Sequence, residues 1–435
     1  MKTYGTGMVT MISKVISPDL VMFSLIFGAY NDRKRQISDI FMNITTFDFK
    51  QEATALSDDL IRVRRDLHRH PELGFQETRT AAIVAETLTR LGLEVQTGVG
   101  QTGVVALLEG ARPGPTVLLR FDMDALPIQE ESTHEYVSTN PGVMHACGHD
   151  GHVAMGLGLA RIFAGRQAQM AGSLKFLFQP AEEGLGGALA VMAGGALENP
   201  RPDVALAMHL WSPVHLGQAR VVEGPAMASS SVFTLTVEGQ GGHGAAPHLA
   251  TDPIIAAAQI VLALQSIVSR NINPHDSVVV SIGEFSAGTT FNVIPERAIL
   301  KGTVRSYDKA THRVVYRRIL EMATNVARAF GCRATMETVA IVAAVVNAPE
   351  PTAVVRAAAE RVLGADNILE HRTMAAEDMG FILEEVPGCY FFVGCSNGDP
   401  ATQLPHHHPR FDFDERAMVN GVALMAEAAG SYVLK

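Results

Sequence analysis

Cysteine is scarce in this 435-residue chain: Cys147, Cys332, Cys389 and Cys395 are all there is. Their spacing matches no disulfide framework, which excludes a stapled secreted scaffold and leads us to expect a reducing compartment, the cytoplasm. Basic blocks are also nearly lacking. The longest is Arg33-Lys34-Arg35 and the formal net charge is −10, so nucleic acid is not an expected partner. The apolar run at residues 20–30 is too short to cross a bilayer. It is flanked by Lys14 before it and by Asn31-Asp32-Arg33-Lys34-Arg35 after it. No clear small-residue cleavage site accompanies this run, so residues 1–50 are expected to be a poorly defined extension, with Met42 as an alternative start and no membrane role. The chain has no GxSxG elbow and no GxxxxGK[ST] phosphate loop. Gly98-Val99-Gly100-Gln101-Thr102-Gly103 matches GxGxxG, but it precedes a strand instead of joining strand to helix, so it is discounted as a dinucleotide fingerprint.

What the chain does have is apolar bulk, 47% hydrophobic against 18% charged, and one crowded stretch. Met144-His145-Ala146-Cys147-Gly148-His149-Asp150-Gly151-His152 packs three His, one Cys and one Asp into nine residues. Thiolate and neutral imidazole are the ligands that suit zinc, cobalt and nickel. The stretch ends a loop and opens a helix. Asp150 is the expected N-cap, and the helix N-terminus is expected to favour a Cys147 thiolate. The bland alternative is a loop with structural histidines.

From Ser57 the pattern is regular. Ser57 is expected to cap a helix ending at the His70-Pro71 step, and residues 78–91 form a second helix stopped by Gly92. Short, continuous apolar runs at 104–108, 117–121, 174–178 and 204–208 read as strands covered on both faces, alternating with helices. This predicts an α/β fold with a mixed, mainly parallel sheet and helices on both faces. Past residue 225 the order becomes strand (232–238), helix (252–269), strands (277–285 and 298–306), helix (308–330) and strand (334–340). That β-α-β-β-α-β order is ferredoxin-like and reads as an inserted α+β domain over 226–342. The parent domain covers 51–225 and 343–435, resuming with a helix at 352–363, a strand at 389–393 and a helix at 415–431.

In such sheets ligands gather beyond the C-terminal strand ends. Three strands deliver Asp122-Met123-Asp124, Glu182-Glu183 and His209 to one rim. With Cys147, His149 and one of His406 to His408, these outnumber the ligands of one tetrahedral site and suit two cations. One carboxylate of the Glu pair can ligate while its neighbour works as a base. Each residue keeps a bland reading: a helix-start charge pair for Glu182-Glu183, a core imidazole for His209 beside Trp211, a turn for Asp122. His243, in Gly241-Gly242-His243-Gly244, is either a surface-turn residue or a group that reaches a substrate oxyanion.

Several motifs together resemble one family. They are His145-Ala-Cys-Gly-His-Asp-Gly-His152, Gln179-Pro-Ala-Glu-Glu183, Ala207-Met-His209, Gly242-His243, Phe291-Asn-Val-Ile-Pro295, Gly302-Thr-Val-Arg305 and His407-His-Pro409. The chain from about Asp58 onward resembles the dinuclear metallo-amidohydrolases of the aminoacylase/carboxypeptidase metallopeptidase family, in the hippurate hydrolase and auxin-conjugate hydrolase branch. The resemblance implies a catalytic domain interrupted by a lid that also dimerises. It implies two divalent ions per subunit (Zn, Mn, Ni or Co), held by Cys147, His149, Glu183, His209 and His407, the last because it stands two before the Pro. Glu182 would be the base, His243 would stabilise the tetrahedral intermediate, from its own or the partner subunit, and Asn292 and Arg305 would hold a substrate carboxylate. Where the wider family often has a His two before Asp122, Arg120 stands here. The implied reaction is hydrolysis of N-acyl amino acids by a homodimer or tetramer. The alternatives are a dipeptidase, a carboxypeptidase or an N-acetyl-diaminopimelate deacetylase of the same family, and a non-catalytic binding protein.

Overall fold

Continuous apolar runs can be buried on both faces only in the middle of a covered sheet, and that is where the computed structural model places them. The structure describes residues 47–434, leaving aside the side chains at 339 and 340. The expectations for the first forty residues lie outside the described ones. The labelled strands of the larger sheet are β1 (Glu94–Val99), β2 (Gly103–Glu109), β3 (Arg112–Asp122), β4 (Ala171–Gln179) and β5 (Val204–His215). The insert contributes β6 (Ser229–Glu238), β7 (Val278–Ala287), β8 (Arg297–Ser306) and β9 (Arg333–Val342), and β10 (Gly388–Ser396) returns to the larger sheet. The helices are α1 (Phe49–Ala55), α2 (Ser57–Arg69), α3 (Thr78–Arg90), α4 (His149–Ala164), α5 (Gly187–Ala193), α6 (Pro253–Asn271), α7 (Lys309–Ala329), α8 (Pro349–Leu363), α9 (Met379–Glu385) and α10 (Arg416–Val433).

The larger sheet runs β1-β2-β4-β3-β5-β10 and ends in the two-residue strands Ala219–Arg220 and Ile368–Leu369. Its centre, β4-β3-β5-β10, is parallel, while β1 and β2 are antiparallel. Register aligns the rim: Asp122 stands opposite Gln179, and Arg120 opposite Ala207, two residues before His209. The GxGxxG stretch is the tight turn of the β1-β2 hairpin, with Gly98, Gly100 and Gln101 at positive φ.

The insert sheet runs β7-β8-β6-β9, all antiparallel, which is the ferredoxin-like order. Strand β8 alternates buried and less buried residues, as a sheet covered on one face should. Helices α6 and α7 cover it with Ala256, Ile260, Leu264, Val315, Ile319 and Ala323. The Ile, Leu and Val side chains among these each contribute about 2 kcal/mol on burial. Asp252 caps α6, accepting from the Ile254 amide at 2.8 Å with Pro253 in the first turn.

Two capping expectations need correcting. Ser57 is the first residue of α2 and the cap position is Leu56, which offers no side-chain bond because α1 runs almost directly into α2. Asp150 lies inside α4. Its cap is Gly148 at φ +91°, and the Asp150 carboxylate turns away to meet Arg64 at 2.8 Å and His68 at 2.7 Å.

Candidate metal centre and active site

Gly148 in the left-handed region lets the chain fold back between Cys147 and His149, so the two flank the start of α4. His149 donates from Nδ1 to the Asp124 carbonyl at 2.9 Å, with the Asp124 carboxylate at 3.2 Å. That fixes its tautomer, and its Nε2 is buried without a hydrogen-bond partner among the described residues. His209 likewise donates from Nδ1, to the Leu210 carbonyl at 2.5 Å, leaving Nε2 at 3.4 Å from Cys147 Sγ. Imidazoles anchored at one nitrogen and free at the other are how proteins present ligands to a metal.

The strand β4 ends at Gln179, and the chain then kinks through Ala181 at φ +54°. The Ala181 amide donates to buried Glu77 at 2.9 Å and the Glu183 amide to Asp124 at 3.0 Å. The kink throws Glu182 and Glu183 into the rim. His407, at φ +68°, places Nε2 at 3.1 Å from Glu183 Oε1. Three sets of donor atoms lie within 4.8 Å of one another: Cys147, His149 and His209; Cys147, Glu183 and His407; and His149, Glu182 and Glu183. This mix of buried thiol and imidazoles with the half-buried Glu pair and exposed His407, one imidazole carrying an orphaned nitrogen, fits a pair of divalent cations.

Without cations the cluster holds protons. Burial, with Glu183, Glu182 and Asp122 nearby, pushes the Cys147 thiol well above its ordinary value. Burial opposes the His149 imidazolium, but Asp122 and Asp124 lift it to about 10. Burial and the neighbouring His152 and His406 push His209 well down. Burial, then Glu377, Glu183 and Asp378, push Glu182 well up, against the pull of Arg120. Metal binding at such a cluster releases protons.

Not every histidine of the crowded stretch faces the cluster. His152 is occupied at both nitrogens, by Asp122 at 2.5 Å and by the Leu210 amide at 3.0 Å. Asp122 is thus an anchor and not a turn residue. The sequence offered His406 only as one of the three candidates His406 to His408, and it did not point to the wall behind Glu182. His406 stacks on Trp211 at 4.7 Å and lies 3.9 Å from Cys147 Sγ, and burial pushes it down to about 3. Buried Arg120 binds Asp122 at 2.6 Å, Glu377 at 2.8 Å and Asp378 at 2.9 Å. Its place two residues before Asp122 was the available signal.

A cavity of about 380 Å³ opens over the cluster, walled by Cys147, Glu182, Glu183, His209 and His407 and, from the insert, Arg305. Arg305 has no side-chain partner among the described residues, and burial lowers its pKa. His243 and Asn292 do not line this cavity. They sit together on the insert, where the strands Gly242–His243 and Val293–Ile294 pair and the Gly244 amide donates to the Asn292 carbonyl at 2.9 Å. Both are exposed.

A proton-holding carboxyl beside a buried thiol, imidazole and carboxylate cluster, at the C-terminal rim of a parallel sheet, defines a metal-dependent hydrolase. The profile of Peptidase family M20/M25/M40 matches residues 118–431, and the chain belongs to this family, whose members hydrolyse amide bonds. It is 44% identical over 289 residues to the N-acyl-L-amino acid amidohydrolase of Geobacillus stearothermophilus, covering 66% of this chain and 78% of that one. It is 35% identical over 383 residues to the IAA-amino acid hydrolase ILR1-like 4 of Arabidopsis thaliana, covering 87% and 86%. The crystal structure of Bacillus subtilis YXEP, a dinuclear metal binding peptidase from the M20 family, superposes with a TM-score of 0.75 at 34% identity, covering 86% of this chain and 98% of that one.

Proposed function

We propose that this enzyme hydrolyses the amide bond of N-acyl amino acids, hippurate-like, N-acetyl or aryl-acyl conjugates, to a carboxylic acid and an amino acid. The observation that carries this reading is the placement of unpaired Arg305 on the same cavity as Glu182 and the metal-ligand cluster. A guanidinium there suits a substrate with a free carboxylate. Cys147, His149, Glu183, His209 and His407 would hold two divalent ions, of zinc, manganese, nickel or cobalt. The ions supply Lewis acidity toward the carbonyl and a more acidic water. Glu182 takes the water's proton and passes it to the leaving nitrogen, the exchange a raised carboxyl pKa favours. His243 donates to the carbonyl oxygen as negative charge develops, and Asn292 joins Arg305 at the substrate carboxylate.

Residues 51–225 and 343–435 form the catalytic domain in this reading, and 226–342 the lid and dimerisation domain. A homodimer is supported by the insert's outer surface. Phe291, beside Asn292, is fully exposed at 100%, and α6 leaves Ile255 and Leu262 exposed at 50% and 65%. Apolar exposure next to site residues that miss their own cavity points to a second chain. Four unpaired, buried cysteines suit a reducing cytoplasm.

The test is turnover of N-acetyl, N-benzoyl and indole-acyl amino acids and of dipeptides by metal-stripped enzyme, before and after adding manganese or zinc. The reading expects metal-restored cleavage of acyl amino acids above dipeptides. Preference for dipeptides would favour the peptidase alternative, and no cleavage of any substrate would refute both.

A further inference from the structure

A second group of metal-ligating side chains gathers around His68, whose partner Asp150 follows His149 in the first turn of α4, and the proposed reaction does not use it. Buried His68, on α2, turns Nδ1 to Asp150 at 2.7 Å and Nε2 to Glu130 Oε1 at 3.3 Å. His134 places Nε2 at 3.2 Å from the same Glu130 oxygen. The His68, Glu130 and His134 ligand atoms all lie within 4.8 Å of one another. We propose that His68 Nε2, Glu130 Oε1 and His134 Nε2 bind a structural divalent transition-metal ion, zinc by the spacing of the donors, that ties the loop between residues 127 and 143 to α2 and α4.

Three observations carry this. The first is spacing. Metal bonds of about 2.0–2.1 Å to imidazole and carboxylate imply tetrahedral edges of about 3.3 Å. The two separations at Glu130, 3.2 and 3.3 Å, sit on that edge and beyond the usual 2.9 Å of a hydrogen bond. The second is orientation. Both nitrogens of His134 are shielded from solvent and lack a hydrogen-bond partner among the described residues. His68 is held by a carboxylate at Nδ1, as metal-ligating imidazoles usually are. Asp150 is itself fixed by Arg64 at 2.8 Å, and the other Glu130 oxygen accepts from the Ser138 amide at 2.7 Å. The third is charge. Arg64 pairs with Asp150, Asp412 and Glu415, whereas among the described residues no Lys or Arg pairs with Glu130, whose carboxylate meets His68, His134 and the Ser138 amide. A cation held between the two imidazoles would neutralise that carboxylate. Two imidazoles and one carboxylate leave a fourth position for water.

The competing arrangement is a protonated His68 bridging Asp150 and Glu130 with no ion. Zinc counting by elemental analysis after gel filtration separates the two. Wild-type enzyme is expected to retain one zinc ion per chain that His134→Ala and Glu130→Gln lose. Cys147→Ala, which disturbs only the hydrolytic cluster, should keep that ion, so failure here and failure of the proposed function are distinguishable. His134→Ala should also lose the increase in melting temperature that zinc gives the Cys147→Ala enzyme. Equal zinc content in wild type and His134→Ala would overturn the proposal. Should either variant prove insoluble, the Cys147→Ala, His149→Ala, His209→Ala, His407→Ala protein decides: one tightly held zinc ion supports the site, and its absence overturns it.

Discussion

Glu182 and Glu183 are chain neighbours with different surroundings. Glu183 faces His407, while Glu182 stands before the Arg120, Glu377 and Asp378 wall. Glu182→Gln should keep its metal content by elemental analysis and lose about a hundredfold to ten-thousandfold in kcat, the range a positioned proton-transfer group supplies. Wild-type turnover in that variant would remove Glu182 from the reaction. Asp412 carries a second prediction at this scale. Burial alone would raise its carboxyl, but Arg64 at 2.7 Å outweighs it and holds the pKa below the ordinary value. A depressed folded-state pKa contributes stability that is present above the unfolded value of about 3.9 and lost as pH falls toward the folded one. Asp412→Asn should therefore cost about 1 kcal/mol near neutral pH, since it removes one of three carboxylates from Arg64 at a partly buried pair, and should flatten the loss of stability below about pH 4. Urea titrations at neutral and acid pH check both. Cys147, His149 and the Glu pair were legible because no packing need asks for such residues together. The partner of Asp150 was not: Arg64 lies 86 residues away, so a local cap was the nearest explanation for that aspartate.

At the scale of elements, α4 connects fold and chemistry. It approaches the sheet closely because a side chain at Gly156 would meet Phe121 and Phe178 at 2.8 Å. Gly148 is different: a Cβ there meets nothing closer than 3.8 Å, so its role is purely the left-handed turn. Gly148→Ala is expected to cost about 1 kcal/mol in backbone strain and to weaken metal retention, because relaxing that strain swings Cys147 away from His149. Competition with a graded chelator measures the retention, and unchanged affinity would show that the turn does not set the spacing. The central strands were legible as continuous apolar runs, because a strand covered on both faces has no polar alternation to hide it. Strand β1 escaped notice because only Val99 is buried in it, and α1 and α9 because seven residues carry little helical period.

At the scale of the whole molecule, the insert carries one site residue into its own cavity and leaves two outside it. Arg305 lines the cavity, whereas His243 and Asn292 remain on the exposed rim with Phe291. If a second chain delivers His243, two inactive variants should rescue each other. Mixing His243→Ala with Glu182→Gln and allowing subunits to exchange should restore about a quarter of wild-type activity, since half the dimers are mixed and each has one intact site. No recovery after confirmed exchange would place His243 in its own subunit's site. The β-α-β-β-α-β order made the insert legible, but where its rim residues act depends on assembly, which one chain's sequence does not encode locally.

In the proposed reaction the cluster that includes Cys147 binds the metal used in hydrolysis, and cobalt makes this visible. Metal-stripped enzyme titrated with cobalt(II) should develop a near-ultraviolet sulfur-to-cobalt charge-transfer band that rises in step with hydrolysis of an N-acyl amino acid, and Cys147→Ala should lack the band. Full restoration of turnover by cobalt without that band, or with the band intact in Cys147→Ala, would contradict it.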